Sequence, residues 1–156
     1  MTTTCQCPCG QQQIAVFGQP VMRFICHCEI CQKVYAKPFA DIVAVRASQV
    51  AKPLSPGIRF AKHRPPPAVK RGVCPACNNP VVALLPLLPG FGLAFVPAAN
   101  FSPQHVLPDP SLHAFYHRRL ADVADTLPKF SGYWASQWGI VSHFAGAWLP
   151  RAAAKQ

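Results

Sequence analysis

Cys74-Pro75-Ala76-Cys77-Asn78 and Cys7-Pro8-Cys9-Gly10 are the two stretches that decide the fold. Two residues between cysteines let the chain turn so that both sulfurs face one metal. The position after the second cysteine needs a left-handed backbone, which glycine adopts freely and asparagine tolerates best among the rest. Asn78 occupies that position after Cys77, and Gly10 ends the Cys7-Pro8-Cys9 stretch. Cys74 and Cys77 therefore form one half of a closed four-thiolate site, and Cys7 and Cys9 supply the other half most simply. Such a site is structural, and its binding energy is folding energy. It ties the N-terminus to a point almost midway along the chain.

Working outward, Cys26-His27-Cys28-Glu29-Ile30-Cys31 forms a third group. Cys26, Cys28 and Cys31 are close enough for one zinc ion, and three protein ligands leave a fourth position open, as in catalytic sites. Alternatives remain at this level. Cys5 could close that site as its fourth ligand. His27 could ligate, although alternation along a strand turns it away from its cysteine neighbours. Cys74 and Cys77 could form a redox disulfide, but no βαβ pattern surrounds them.

The remaining residues favour short strands. The chain has 156 residues, enough for one domain with one sizeable core. Just over half are apolar and 13% are charged, which excludes a disordered chain. Eighteen prolines argue against long helices, because proline removes a backbone donor and clashes with the preceding turn. Gln12–Phe17 and Val21–His27 read as a strand pair joined at Gly18-Gln19-Pro20. Asp41–Arg46, Ile58–Lys62, Ala68–Val73, Val81–Leu85, Leu93–Val96 and His113–His117 read as further strands. Arg118–Leu127 reads as a short helix stopped before Pro128. Residues 1–140 form a single zinc-binding domain, and 141–156 form a tail whose last residues, Ala152–Gln156, fray. The fold class is all-β.

The formal charge is +10. Ionising seven cysteines around two zinc ions lowers it by three, to about +7. Arg59, Lys62, His63, Arg64, Lys70 and Arg71 cluster around Pro65-Pro66-Pro67, without the interleaved aromatic residues of a base-stacking platform. Nucleic acid is therefore not the expected partner. The longest uncharged apolar run, Val81–Val96, is too short to span a membrane and contains Pro86, Pro89, Gly90 and Gly92. It reads as two buried strands around a turn. With no basic-then-apolar start, the chain reads as cytoplasmic, where thiols stay reduced and clustered cysteines bind metal.

These spacings, in this order, resemble the glutathione-dependent formaldehyde-activating enzyme family, whose domain is shared with centromere protein V. The resemblance rests on Cys7-Pro8-Cys9-Gly10, Cys26-His27-Cys28-Glu29-Ile30-Cys31 and Cys74-Pro75-Ala76-Cys77-Asn78. Pro38-Phe39, Leu112-His113-Ala114-Phe115 and Leu127-Pro128-Lys129-Phe130 add to it, so it covers roughly residues 5–133. It implies a β-tent of short antiparallel sheets. It implies a structural zinc ion on Cys7, Cys9, Cys74 and Cys77, and a second, labile or catalytic one on Cys26, Cys28 and Cys31. It also implies formation or cleavage of the carbon–sulfur bond of S-hydroxymethylglutathione, with glutathione as the small-molecule thiol. This chain departs from the family's pattern at Gln32-Lys33, Ala36-Lys37, Asn78 and His117-Arg118-Arg119-Leu120.

A zinc ion with three thiolates carries a net −1 charge, so a nearby cation would help hold an anionic substrate. Lys33 and Lys37 are the candidates by proximity in the chain. His113 reads as a general acid or base, or as a satisfied structural histidine. Phe39 reads as core. No nucleophile elbow or phosphate loop is present. Two readings compete with the lyase: a non-catalytic zinc-stabilised module for nucleic acid or an acidic protein, and a zinc carrier.

Overall fold

A computed structural model describes residues 1–65 and 68–148. The order of elements is β1 (Thr2–Gln6), β2 (Gln13–Phe17), β3 (Met22–Cys26), α1 (Glu29–Tyr35), β4 (Ala40–Arg46), β5 (Arg59–Lys62), β6 (Lys70–Val73), β7 (Pro80–Leu88), β8 (Phe91–Pro97), β9 (Pro110–Ala114) and α2 (Tyr133–Trp148). β1 and β2 form a two-stranded sheet. The rest form a seven-stranded sheet in the order β5-β6-β7-β8-β4-β3-β9. The protein is mainly β, as its turn spacing implies, with no closed barrel. No helix among the described residues is long and apolar enough to cross a membrane.

β4 explains how the layers meet. Its side chains alternate, so Val43 and Val45 enter one core and Ile42 and Ala44 the other. The first core lies with the β1–β2 hairpin and holds Cys5, Cys7 and Cys74. The second holds Cys26, Cys31, Leu112 and Phe144. A strand buried on both faces shows little polar alternation, which is why Asp41–Arg46 reads as strand chiefly from its Val and Ile content.

Several expectations need correction. β2 does not pair with β3. It pairs with β1, setting Ile14 against Cys5, while β3 joins β4 and β9. The partner strand Thr-Thr-Thr-Cys-Gln has few apolar residues because only one face of the hairpin is covered, with Cys5 fully buried. β9 runs parallel to β3, so the large sheet is not purely antiparallel. It ends at Ala114 because Phe115 takes a left-handed conformation, φ 54°, and a 3-10 turn follows. The outer half of β7 is not buried: Leu87 and Leu88 are exposed.

Residues 118–127 are not a helix. Here side chains take up backbone donors: the Val123 N–H donates to the Tyr116 hydroxyl and the Leu127 N–H to Asp125 Oδ1. The helix lies later, in α2, within the proline-free interval between Pro128 and Pro150. Gly139 in its middle weakens the helical reading of the sequence, yet a Cβ there would sit 2.6 Å from the Phe130 ring. The glycine lets the helix lie against that ring. α2 also runs through residue 140 without a break, and Phe144 is 8% exposed within the second core. Phe144→Ala should lower unfolding free energy by about 3 kcal/mol, read from the urea midpoint. A loss within a few tenths of wild type would show that α2 adds nothing to the core. Residues Ala152–Gln156 lie outside the described residues.

Candidate active site and metal centres

The first group is built by two turns facing each other. In one, the Gly10 N–H donates to the Cys7 carbonyl, with Gly10 at φ 78°. In the other, the Asn78 N–H donates to the Cys74 carbonyl, with Asn78 at φ 55°. Asn78 thus occupies the left-handed position expected for it, and Arg59 anchors its side chain at 2.8 Å. The four sulfurs of Cys7, Cys9, Cys74 and Cys77 lie within 4.8 Å of one another. Cys7 and Cys9 are 3.4 Å apart, and Cys9 and Cys74 are 3.6 Å apart. A tetrahedron with zinc–sulfur bonds of about 2.3 Å has edges of about 3.8 Å, so the spacing suits such an ion.

Backbone donors also favour thiolates here. The Gln12 N–H points at Cys7 Sγ at 3.3 Å. Burial pushes the Cys77 thiol up, but hydrogen bonds from the Asn79 backbone and side chain and from the Cys9 and Cys74 sulfurs outweigh it, and the thiol falls to about 6. A redox pair is not needed to explain this geometry.

The second group uses a strand end and a helix start. Cys26 closes β3, Cys28 is the N-cap of α1, and Cys31 lies in its first turn. Cys28 Sγ accepts the Cys31 N–H at 3.4 Å, doing what a serine oxygen commonly does at a helix start. α1 is capped by Ala36, which adopts φ 49°, a conformation that glycine reaches without strain. The three sulfurs lie within 4.8 Å of one another, and among the described residues no fourth cysteine, histidine or carboxylate joins them. Hydrogen bonds from Cys26 and then Cys31 drive the Cys28 thiol well down. The Cys28 partner, first, pushes Cys26 well up. Three thiols this close interact strongly as they lose their protons, and a bound divalent cation would favour that loss.

Cys5 is not the missing ligand. It is fully buried in the first core, where desolvation pushes its thiol up to about 12. His27 also stays off the metal group. Its Nε2 meets His113 Nδ1 at 2.9 Å, and His113 Nε2 meets Asp125 Oδ2 at 2.7 Å. Both nitrogens of His113 are thereby engaged, and its side chain is buried. Lys33 is exposed on α1, and Lys37 lines a separate cavity beside Phe39. Phe39 is 40% exposed and lies against the His27 ring.

The sulfur trio instead opens on a cavity of about 370 Å³, and its cation is Arg71 on β6. Arg71 acts on both Cys28 and Cys31 as a nearby positive charge. Arg64 lines the same cavity and lies 5.4 Å over the Tyr133 ring. Tyr35 joins the wall from α1. Burial first, and then the charges of Cys31 and Cys26, raise its phenol. Arg71 is visible in the sequence only as one member of a basic cluster. The strand register that turns it toward the sulfurs has no local signature.

The chain matches the sequence profile described as glutathione-dependent formaldehyde-activating enzyme over residues 2–118. It belongs to that family. No curated protein matches it. The glutathione-dependent formaldehyde-activating enzyme profile therefore spans both cysteine groups, Tyr35, Arg64 and Arg71, but ends before α2. Tyr133, Gln137, Ile140 and Val141 of α2 nevertheless complete the cavity wall.

Proposed function

We propose that the protein is a zinc-dependent carbon–sulfur lyase or synthase acting on a thiol–aldehyde adduct such as S-hydroxymethylglutathione. One zinc ion would sit on Cys7, Cys9, Cys74 and Cys77 as a structural staple. A second would sit on Cys26, Cys28 and Cys31. The observation that carries this reading is an asymmetry. The trio lines a cavity beside an arginine, whereas the quartet lines neither that cavity nor the smaller one beside Phe39. Membership of the family supplies the class of adduct.

In the forming direction the thiol sulfur bonds to the aldehyde carbon, and the thiol proton ends on the aldehyde oxygen. Cleavage is the reverse, and no electrons enter or leave. Zinc, when bound, supplies Lewis acidity toward the thiol or the aldehyde oxygen at neutral pH. Arg71 offsets the negative charge that the trio gathers. Tyr35 keeps its phenolic proton within the cavity wall. The apolar wall limits water, which would otherwise hydrate the aldehyde. Clustered cysteines that bind metal suit a reducing, cytoplasmic setting.

Zinc analysis of freshly purified protein, with and without glutathione, joined to NMR exchange between formaldehyde and its glutathione adduct, tests this. Two zinc ions per chain and exchange above the protein-free rate are expected. One ion per chain with unchanged exchange would leave a structural module. Steep salt-dependent binding to polyanions in that case would identify the nucleic-acid-binding alternative.

A further inference from the structure

We propose that the cavity beside Cys26, Cys28 and Cys31 takes an amphipathic thiol or thiol adduct, with an extended apolar body and an anionic end, in preference to glutathione. This rests on the zinc–thiol reading of the trio. Three independent observations carry it.

The first is the wall. Phe24, Ile42, Val82, Leu93, Phe95 and Ile140 face the cavity. Glutathione would bring two peptide groups, an ammonium and two carboxylates against this surface, and each unpartnered polar group costs free energy on burial. An alkyl chain or ring would meet apolar surface along most of its length. A cavity of about 370 Å³ has room for such a body.

The second is the charge inventory. The chain has five acidic residues, and none lines the cavity. Asp41 pairs with Arg23, Glu29 with Arg118, Asp122 with Arg119, and Asp125 with His113 and Lys129. Asp109 acts on Arg23. Arg71 and Arg64 thus face the cavity without a carboxylate partner among the described residues. Arg71 lines the cavity together with the trio. Arg64 is exposed, against Tyr133. A ligand whose sulfur reaches the trio can extend its apolar body along the wall and end near Arg64.

The third is the origin of the wall. Tyr133, Gln137, Ile140 and Val141 lie beyond residues 2–118, the part of the chain that matches the family. One side of the cavity is therefore built from a segment outside the shared region, so a departure from the family's small, polar adduct has a physical source.

Calorimetry on the zinc-loaded full chain would test this with ω-mercapto carboxylic acids of four, six and eight carbons, an eight-carbon mercapto alcohol, octanoate and glutathione. Each added methylene should tighten binding about fourfold. The eight-carbon mercapto acid should bind at least tenfold more tightly than glutathione. Arg64→Ala, at an exposed position, should weaken that acid by about tenfold and leave the mercapto alcohol unchanged. A flat chain-length series, equal or tighter binding of glutathione, or equal binding of acid and alcohol would overturn the proposal. Octanoate separates the two readings. If it binds as tightly as the mercapto acid while the chain-length and charge effects persist, the amphipathic pocket stands and the zinc–thiol reading falls. If the thiol matters but chain length does not, the converse holds.

Discussion

Cys7→Ser, and equally Cys77→Ser, is expected to leave the protein unfolded. Cys7 and Cys74 are buried in the first core, and their group joins the β1–β2 hairpin to the turn that precedes β7. Without it the hairpin is held by the short link from β2 to β3 and by packing in the first core. A structural zinc ion contributes about 10–16 kcal/mol of apparent binding free energy. The whole stability of a domain is about 5–15 kcal/mol, so losing the ion exceeds what the apolar contacts can absorb. The remaining buried sulfurs of Cys7 and Cys74 would also be left without the ion in the first core. Far-ultraviolet circular dichroism and a thermal melt read the outcome. A variant with a native spectrum and a cooperative melt near that of wild type would remove the structural role assigned to this group.

Cys28→Ser is expected to do the opposite: keep the fold, lose one zinc ion per chain, and lower thiol–aldehyde exchange on the order of 10³-fold, the effect of several kcal/mol of lost Lewis-acid stabilisation. The fold should survive because the position has two separable duties. As the N-cap of α1, Cys28 accepts the Cys31 N–H, and serine serves that role at least as well. As a sulfur donor it has no substitute, since among the described residues no fourth donor lies in the group. Cys28 is also the least buried of the three, so exchanging sulfur for oxygen there disturbs packing least. Metal analysis, a melt and the exchange assay must be read together. Unfolding of Cys28→Ser to the same degree as Cys7→Ser would make both groups structural. Retained exchange with one zinc ion lost would detach the chemistry from this site.

Much of the site was legible from local spacing. Two cysteines separated by one or two residues can reach one metal only through a narrow set of turns, and residues after them betray the turn by tolerating positive φ. Gly10 and Asn78 both do so. Strands β3 to β8 were legible because Val, Ile and Phe recur between turn residues. Where reading failed, side chains had been given other partners. β1 looks polar because one face of it is uncovered. Residues 118–127 look helical, but Tyr116 and Asp125 take the backbone donors. α2 was not read from the sequence at all, since Gly139 disfavours a helix, yet its missing side chain makes room for Phe130.

The choice of cation shows the same division. Lys33 and Lys37 are nearest to the trio along the chain, yet Lys33 points outward on α1 and Lys37 belongs to another cavity. Arg71 faces the sulfurs because β6 pairs with β7 in the register Arg71↔Ala83, on the sheet face that holds the second core. Sequence proximity is a poor guide when alternate residues of a strand face opposite sides, and a slip of one residue would reverse the assignment.

The sequence by itself determined the local groupings: Cys7 with Cys9, Cys74 with Cys77 before a left-handed Asn78, and Cys26 with Cys28 and Cys31. Those properties depend on a few consecutive bonds and their allowed torsions. Only the tertiary structure decided what surrounds the trio, from Arg71 and Tyr35 to the wall supplied by α2, and that Cys5 and His27 are kept away from it. Those neighbours come from strand register and from helix packing across the sheet, which arise from the whole core at once and leave no mark on any short stretch of residues.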